Sequence, residues 1–387
     1  MKLRRNHTRK VGLEINDTWL QAAEIIDQPV GIEVIQAERA PLAPGVVEEG
    51  RVLQPRLLTA AVTELWQQAG FQSREVYLGI PSSIVLIRHY QLPSADRLEL
   101  RKMLDMELQL RTRLPFSDPI YDFVIYPLEP IEAGAEEEAV NTNPLYRDAQ
   151  EEAAAGSVME REEQGLWSRI GRRVRGLLLN RESAPGQPGA RSNILLAAVP
   201  GAEMIRYRDA LEAASLQPRV FDIKPLAVDR LLPRISLAED ACTYVTASIH
   251  ARHTDIFLFH RGQLRLTRSL SIKSDSITRK RREASPSGGR CSGEKIWETV
   301  CEELALELER LVDFYRYSSP QDSEPIQFVF LCGDIDGLGH ISPVLERMLQ
   351  MPAFILEAAD GLTTSLEAPL YPFAVPISLA CGGRGRA

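Results

Sequence analysis

Two histidines with only two residues between them are the first feature of this sequence that suggests chemistry. His250 and His253 stand in a predicted hairpin loop after a strand-like run of residues. Histidine is a common ligand of transition metals, but a real site needs several ligands that converge on one point. Neither a cysteine nor a cluster of carboxylates stands beside these histidines in the sequence. We therefore expect surface loop histidines and no metal site.

The sequence contains no motif for a nucleophilic serine or cysteine. A Gly-x-Ser-x-Gly elbow is absent, and the serines stand in polar loops. The five cysteines are an odd number without Cys-x-x-Cys spacing, which fits neither a disulfide framework nor a zinc site: they are Cys242, Cys291, Cys301, Cys332 and Cys381. We expect no catalytic residue and a reducing compartment.

Composition narrows the class of protein further. A chain of 387 residues, 44% hydrophobic and 25% charged, is expected to fold into two or three globular domains. Its net charge of −8 argues against a nucleic-acid partner. No apolar run is long enough to span a membrane, and the basic residues 1–10 are not followed by the apolar core of a signal peptide. A cytoplasmic protein is the expectation.

One segment, residues 166–178, has the pattern of a basic amphipathic helix. Its apolar face holds Leu166, Trp167, Ile170, Val174, Leu177 and Leu178, and its basic residues are Arg169, Arg172, Arg173 and Arg175. Such a helix binds an anionic membrane surface or a groove in a partner protein, or else it packs on its own domain with the arginines in solvent. All of these remain open here. The basic cluster 279–282 is expected to be a solvated loop.

The elements predicted from periodicity give an α/β architecture. Alternating strands open the chain, a helix is expected over 55–69, and a strand over 75–80. A strand, a charged helix over 95–113 and another strand then suggest an inserted subdomain. A second set of strands at 243–271, with a hairpin signal at 260–263, echoes the first and suggests two related halves.

These observations divide the chain into five parts. They are a first half at 1–83, an inserted subdomain at 84–130, a flexible linker with the basic helix at 131–192, a return to the first half at 193–232, and a second half at 233–387.

Several blocks of the sequence, in order along the chain, match the pattern of one known family. The most specific are Val76 to Ser83, Arg88, Gln91 to Pro93, Met106-Glu107 and Leu114 to Phe116. Supporting blocks are Val199-Pro200, Leu211 to Ala214, Asp313 to Arg316, Leu331 to Gly333 and Phe373 to Val375. Together these blocks resemble the PilM family of actin-like type IV pilus assembly proteins. The resemblance implies a two-lobed actin-like (ribonuclease H-like) α/β fold with an α+β subdomain inserted in the first half.

The resemblance also indicates where ATP would bind, in three loops whose motifs are eroded here. The corresponding positions are Glu14, Asn16, Thr18, Ser248, His250 and Gly333. Asn16 and His250 replace glycines that let the backbone approach phosphate, and Ser248 replaces an aspartate that organises Mg²⁺. Asp334 would put a negative charge near a nucleotide. We expect a pseudo-ATPase without a cofactor, binding ATP and Mg only if the eroded site is still competent.

A PilN-like inner-membrane protein is the partner that the resemblance implies, held by its cytoplasmic tail against the inserted subdomain. The candidate contacts are Ile84, Leu86, Arg88, Met103, Met106 and Leu110. Alternatively, Leu98, Met103, Met106 and Leu110 are simply the core of the subdomain. The implied role is a scaffold at the inner face of the cell membrane, which links this partner to the pilus motor ATPases.

Three alternatives to a non-catalytic pilus scaffold stay open at this stage. The first is an active ATPase of the same machine, and Ser248 is the position that discriminates it. The second is an FtsA-like tether, which would end in an amphipathic helix, whereas residues 382–387 here do not have that pattern. The third is the actin-like part of a type II secretion protein, for which a transmembrane segment is expected.

Overall fold

The computed structural model describes residues 8–28, 31–94, 96–110, 114–126, 192–238, 242–250, 253–270, 292–318, 324–335, 337–358 and 361–382. Almost all of the predicted linker lies outside these ranges, with the basic segment 166–178 and the basic cluster 279–282. The expectations for Trp167, Ile170, Arg172, Arg173, Val174 and Leu177 therefore stay predictions.

Sixteen strands and seven α-helices make up the described part of the chain. The strands are β1 (Arg9–Ile15), β2 (Trp19–Asp27), β3 (Ile32–Pro41), β4 (Val47–Glu48), β5 (Arg51–Val52), β6 (Glu75–Ile80), β7 (Leu86–Leu92), β8 (Pro119–Tyr126), β9 (Ser192–Pro200), β10 (Gln217–Ile223), β11 (Thr243–Ile249), β12 (Thr254–His260), β13 (Gln263–Leu270), β14 (Phe328–Gly333), β15 (Ala353–Ile355) and β16 (Leu362–Thr364). The helices are α1 (Pro55–Ala69), α2 (Arg97–Leu110), α3 (Gly201–Ala213), α4 (Lys224–Leu231), α5 (Ser292–Ser318), α6 (Leu338–Leu349) and α7 (Ala374–Ala380).

Helix α1 shows how local sequence sets these boundaries. Pro55 is the first helical residue, where its fixed φ suits the helix and its missing N–H costs nothing. Gly70 ends the helix in the left-handed conformation, with its N–H bonded to the carbonyl of Trp66. Leu58, Val62 and Leu65 recur at helical spacing and are buried. The prediction of a helix over 55–69 is confirmed.

The two large sheets repeat the same strand order. The first sheet runs β10-β6-β1-β2-β3-β16. The second sheet, read from its other edge, runs β15-β14-β11-β12-β13 and has no counterpart of β16 among the described strands. In each, three consecutive antiparallel strands are followed by a parallel strand beside the first of them, β6 beside β1 and β14 beside β11. The two related halves expected from the sequence are therefore present as two copies of one sheet topology.

The inserted subdomain is larger than its predicted range of 84–130. Strand β9 is the centre of a separate sheet with the order β7-β9-β8. It pairs antiparallel with both neighbours, so residues 192–200 belong to the subdomain rather than to the return of the first half. Helix α2 is tied to β8 by Arg97 and Arg101, which lie 2.9 and 2.8 Å from one carboxylate oxygen of Asp122.

The C-terminal elements return to the first half, which corrects the predicted boundary of the second half at 233–387. Strand β16 pairs with β3, and α7 packs across β1 and β2. Gly12 permits this close contact, because a Cβ there would lie 1.8 Å from the carbonyl oxygen of Pro376. The chain therefore crosses between the halves more than once, which fastens them together.

Three hydrophobic cores correspond to these units. The largest lies around the first sheet, and Leu13, Leu78 and Ile377 are among its fully buried members. The second lies between the second sheet and helices α5 and α6, and the third holds α2 against the subdomain sheet through Leu100 and Leu104. None of the helices in the described ranges is long and apolar enough to cross a membrane.

Candidate functional site

Two hairpins, one from each half, form equivalent turns at the ends of β1 and β11. The amide of Asn16 donates to the carbonyl of Trp19 over 3.0 Å, and the amide of His250 donates to the carbonyl of His253 over 2.9 Å. Asn16 and His250 thus occupy the same position, directly after the first strand of each sheet. These are the first and second loops that the sequence assigned to phosphate.

The third loop follows β14, which runs beside β11 in the second sheet. Gly333 ends β14 with φ at +128°, and a Cβ there would lie 2.0 Å from the carbonyl oxygen of Ile249. Glycine is therefore required for the close approach of the two strand ends. The next residue, Asp334, donates its amide to the same carbonyl, and its side chain turns toward both hairpins.

Buried polar side chains from these loops and from α4 form one group, here called the charged cluster. Its members are Glu14, Asn16, Lys224, Ser248, His250, His253, Asp255 and Asp334. All of them except His253 are buried. The cluster lies at the carboxyl ends of β1, β10, β11 and β14, the edge at which open α/β sheets usually bind ligands.

Lys224 is the cation of the first half of the cluster. It is the first residue of α4 and follows β10 directly. Its Nζ lies 2.7 Å from Oε1 of Glu14 and donates to Oδ1 of Asn16 over 3.0 Å. The side chains of Lys224 and Glu14 are 2% and 0% exposed, so this ion pair has almost no contact with solvent.

Asp334 connects the two hairpins. Its Oδ2 accepts a hydrogen bond from Nδ2 of Asn16 over 3.2 Å, and Nδ1 of His250 lies 3.2 Å from the same oxygen. The other ring nitrogen of His250 lies 2.9 Å from the hydroxyl oxygen of Ser248 and 3.9 Å from Oε1 of Glu14. Polar contacts between buried groups therefore link the first half to the second.

A further carboxylate enters the cluster from β12. Asp255 stands opposite Ser248 in the antiparallel ladder, so the two side chains share one face of the sheet. Asp255 is 2% exposed. Its Oδ2 lies 3.7 Å from Nε2 of His253, whose ring lies close to the ring of His250, with centroids 4.7 Å apart.

Burial and charge act in opposite directions on the two cations of the cluster. Burial disfavours the ammonium of Lys224, but the adjacent Glu14 carboxylate outweighs it and raises the pKa of Lys224 above its ordinary value. Burial likewise disfavours the imidazolium of His250, but Asp334 outweighs it and raises the pKa of His250. Both shifts favour the protonated forms of these side chains.

The remaining groups are kept in the complementary forms. Burial by itself raises the pKa of Asp334, but His250 and Lys224 reverse the effect and hold the pKa below its ordinary value. Burial and the nearby histidines and lysine act in the same way on Asp255, whose pKa is also lowered. Burial lowers the pKa of His253. Ionised carboxylates therefore face Lys224 and His250, while His253 favours its neutral form.

A small cavity borders the cluster between the two halves. Lys224 and Asp255 contribute to its wall, together with Ile80, Phe257 and Ser269. Its volume is about 40 Å³. That is room for one or a few water molecules, compared with the roughly 300 Å³ at the lower end of small-molecule sites.

The structure brings together five of the six residues that the sequence assigned to the ATP site. Glu14, Asn16, Ser248 and His250 lie in the cluster, and Gly333 supports it. Thr18 lies apart, half-buried in the first hairpin, where its carbonyl accepts from the amide of Leu42.

Two points of the sequence interpretation are corrected at this site. His250 is 2% exposed, so it is not a surface loop histidine. Carboxylates do lie near the two histidines, because Asp255 arrives on the facing strand and Asp334 on the parallel one. Asp255 is only two residues from His253 in the sequence, but its place in the cluster and the approach of Asp334 depend on how the strands pair.

Sequence reasoning missed Lys224 and Asp255 and gave Asp334 only a repulsive role. A signal for Lys224 was present, because it stands between Ile223 at the strand end and the apolar run Pro225 to Val228. A lysine in such a setting is buried only with a partner. For Asp255 the signal was its cross-strand position opposite Ser248, which requires the hairpin register to be known.

The inserted subdomain presents a second surface of interest, on α2. Leu98 and Met106 are 73% and 63% exposed, whereas Leu100 and Leu104 fill the core beneath. The alternative that Leu98 and Met106 are core residues is therefore not supported. Arg88 and Met103 are half-buried.

Two of the predicted partner contacts are corrected by their burial. Ile84 and Leu86 are 3% and 2% exposed and belong to the first and third hydrophobic cores, so their side chains are not surface contacts. The side chain of Leu110, at the end of α2, lies outside the described part of the chain. Of the candidate contacts, Arg88, Met103 and Met106 remain at least partly accessible, and Leu98 is a further exposed candidate.

Comparisons with known proteins place this fold in a recognised class. No family model and no curated protein matches the chain. Among solved structures, a chain of the PilM–PilN type IV pilus biogenesis complex superposes with a TM-score of 0.68 and 20% identity, over 97% of this chain and 98% of that one. The two large sheets described above, one in each lobe, thus form an actin-like fold.

More distant similarity extends to other proteins. The ethanolamine utilization protein EutJ from Carboxydothermus hydrogenoformans gives a TM-score of 0.48 at 12% identity, over 97% of this chain and 90% of that one. A glycerol dehydratase reactivase gives 0.46 at 12% identity, over 96% and 99%. Within the actin-like class, the full-length superposition gives this chain a PilM-like fold.

Proposed function

We propose that this protein is a non-catalytic scaffold of a type IV pilus assembly machine, which holds the cytoplasmic tail of a PilN-like inner-membrane protein. The observation that carries the proposal is the superposition over nearly the full length of both chains on a chain of the PilM–PilN complex. The inserted subdomain is part of that superposed length. A role at the cytoplasmic face of the inner membrane follows from such a partner.

The surface of α2 supports a binding role for the subdomain. Leu98, Lys102 and Met106 recur every fourth residue and form an exposed stripe on the side of the helix away from Leu100 and Leu104. Exposed apolar side chains that share one face of a helix can form part of a docking surface, whereas singly scattered ones are normal. An apolar side chain of an extended peptide or short helix would contact Leu98 and Met106, while Lys102 would favour an acidic neighbour.

The charged cluster supports the absence of nucleotide chemistry. In an ATP site of this fold, the hairpins offer bare backbone N–H groups to phosphate, and aspartates organise Mg²⁺. Here Asn16 and His250 put side chains at the turns, and these side chains bond to Asp334. Lys224 is already paired with Glu14. The side-chain donors of Asn16 and Lys224 are thus already engaged by groups of the chain itself, and the carboxylates beside them do not suit a triphosphate.

The internal contacts also offer a reason why a scaffold would not need ATP. A bound nucleotide holds two lobes together by touching loops from both, and the pair Asn16–Asp334 makes the same connection with side chains of the chain itself. A platform that is closed without ligand presents a constant surface to its partner. This arrangement favours a scaffold over an enzyme whose lobes must open and close.

Peptide binding tests the proposal directly. The peptide carries a fluorescent label and has the sequence of the cytoplasmic N-terminal tail of a PilN-like protein. It is titrated with the full chain, and fluorescence anisotropy measures the binding. We expect saturable binding that Leu98→Asp/Met106→Asp weakens by about tenfold or more, since buried interface anchors often contribute more than 1 kcal/mol each. Leu57→Asp, at an exposed leucine of α1, serves as the matched control and should bind normally. Failure of the tail to bind, or equal loss in the control, would contradict the proposed function.

A further inference from the structure

Three side chains of the charged cluster have the chemistry of a transition-metal site. One ligand atom from each of His250, His253 and Asp255 can be chosen so that all three lie within 4.8 Å of one another. Ligands around one tetrahedral zinc ion lie roughly 3.3 Å apart, given metal–ligand distances near 2.0 Å. Nε2 of His253 and Oδ2 of Asp255 are already 3.7 Å apart. A movement of up to about 1.5 Å at the hairpin would therefore gather all three ligands.

Asp255 provides an independent indication of a missing cation. Its side chain is buried, and its Oδ2 accepts no hydrogen bond from any residue that the structure describes. A buried carboxylate oxygen without a donor is costly, because the water that solvated it has been removed. Oδ2 is also the oxygen that faces His253. A metal ion between the two would satisfy it.

The surroundings of His250 match the usual support of a metal-binding histidine. Ligating histidines almost always hold their second ring nitrogen against a carboxylate or carbonyl, which fixes the ring and makes the ligand more basic. Nδ1 of His250 lies 3.2 Å from Oδ2 of Asp334. Nε2 is then the ligand nitrogen, on the side of Ser248, whose cross-strand partner is Asp255.

The charge of the cluster favours a divalent ion. Glu14, Asp255 and Asp334 contribute three buried carboxylates, and Lys224 contributes one buried ammonium. The proton that His250 favours in the metal-free cluster would be released when its Nε2 binds the metal, so the ion would face an excess of two negative charges among groups shielded from solvent. One divalent cation would neutralise it, and the coordination would offset part of the cost of burying these groups.

We propose that His250, His253 and Asp255 bind a zinc-class transition-metal ion, with Asp334 orienting His250. Two imidazoles and one carboxylate select Zn²⁺ or Co²⁺ over Mg²⁺, which prefers oxygen ligands alone. His253 keeps 30% of its side chain exposed and supplies the entry path. The metal would join the loop between β11 and β12, which carries both histidines, to Asp255 on β12. This is the edge of the cleft where the family resemblance implied phosphate and Mg²⁺. This inference does not depend on the pilus role.

Cobalt spectroscopy and zinc titration of the full-length, tag-free protein test the site. After treatment with chelator, Co²⁺ should give visible d–d bands of tetrahedral intensity, and Zn²⁺ should abolish them at one equivalent. Competition with a chromophoric chelator should give a zinc dissociation constant of roughly 1 μM or tighter. Mg²⁺ in excess should leave the cobalt bands unchanged.

Variants identify the ligands. His253→Gln removes a partly exposed ligand and should fold normally, and it should weaken zinc binding by about tenfold or more. His340→Gln changes an exposed histidine of α6 and should bind like the parent protein. Asp255→Asn, checked for folding by circular dichroism, should weaken binding to a similar extent. The site is refuted by the absence of cobalt bands in the parent protein, by a folded His253→Gln variant that binds zinc normally, or by equal loss in His340→Gln.

Discussion

The Nζ atom of Lys224 lies 2.7 Å from Oε1 of Glu14, and both side chains are shielded from solvent. The pair joins the first residue of α4 to the end of β1 within the first half of the molecule. Such a pair contributes little net stability relative to apolar residues, but the loss of one partner leaves a charge buried and unpaired. Its energetic role is therefore visible only when one side chain is removed.

Lys224→Met is the first test of this relationship. We expect the free energy of unfolding to fall by about 3–5 kcal/mol, because Glu14 remains buried without its cation. The double variant Glu14→Leu/Lys224→Met should recover at least half of the loss, since neither charge remains. Urea unfolding followed by circular dichroism measures both. A loss below about 1 kcal/mol in the single variant, or an additive loss in the double variant, would show that the two side chains are not coupled.

Gly333→Ala tests the close approach that positions Asp334. The added Cβ would lie 2.0 Å from the carbonyl of Ile249, in a backbone conformation that side chains rarely adopt. Gly262→Ala is the matched control, because Gly262 also has a positive φ but has nothing within 4 Å. We expect Gly333→Ala to be less stable than the control by at least about 2 kcal/mol, since the control carries only the conformational cost of about 1–2 kcal/mol. Equal stabilities in urea unfolding would refute the requirement for glycine.

His89 predicts a dependence of stability on pH in the inserted subdomain. Burial, assisted by the positive charge of Arg265 on β13, lowers the pKa of His89 to about 4. The pKa of a histidine in the unfolded chain is near 6.5. Between about pH 6.5 and pH 4 the unfolded chain therefore binds a proton at His89, while the folded chain does not. The neutral His89 therefore contributes fully above pH 6.5, and the contribution is lost as the pH falls from about 6.5 to about 4. The loss is at most about 3 kcal/mol.

Urea unfolding at pH 7 and pH 5, with His89→Gln beside the parent protein, measures this effect. The variant should lose less stability than the parent protein over the interval, because it has no histidine to protonate there. His340→Gln, at an exposed histidine, should follow the parent protein. Parallel profiles for all three proteins would mean that His89 is protonated as readily in the folded chain as in the unfolded one.

Local sequence patterns predicted the elements well, because local forces set their ends. Pro55 and Gly70 bound α1 as expected, and the hairpin at 260–263 and the strand at 75–80 lie where predicted. The predicted helix over 95–113 is described as Arg97–Leu110, with 111–113 outside the described part. The resemblance further predicted the actin-like fold, which the structure confirms.

Periodicity could not predict contacts between distant parts of the chain. Asn16 and Asp334 are separated by 318 positions, and Lys224 and Asn16 by 208. Their meeting depends on how two sheets pack together, which no local pattern records. The domain limits were wrong at β9, β16 and α7 for the same reason, because a strand or helix carries no local mark of the sheet it joins. The sequence therefore indicated the loops that meet at the site, but it did not indicate that Lys224 and Asp255 join them.

The central claim is that the loops at the ends of β1, β11 and β14 are occupied by side chains of the protein itself and do not bind nucleotide. Isothermal titration of Mg-ATP into the full chain at about 100 μM tests it most directly. We expect no binding tighter than roughly millimolar, because Asn16 and His250 replace the phosphate-binding glycines and their side chains bond to Asp334. Ser248→Asp/His250→Gly restores one carboxylate and one glycine, and it should strengthen binding if the rest of the cleft is intact. A clear isotherm with a dissociation constant of about 1 μM for the parent protein would contradict the claim and favour an active ATPase.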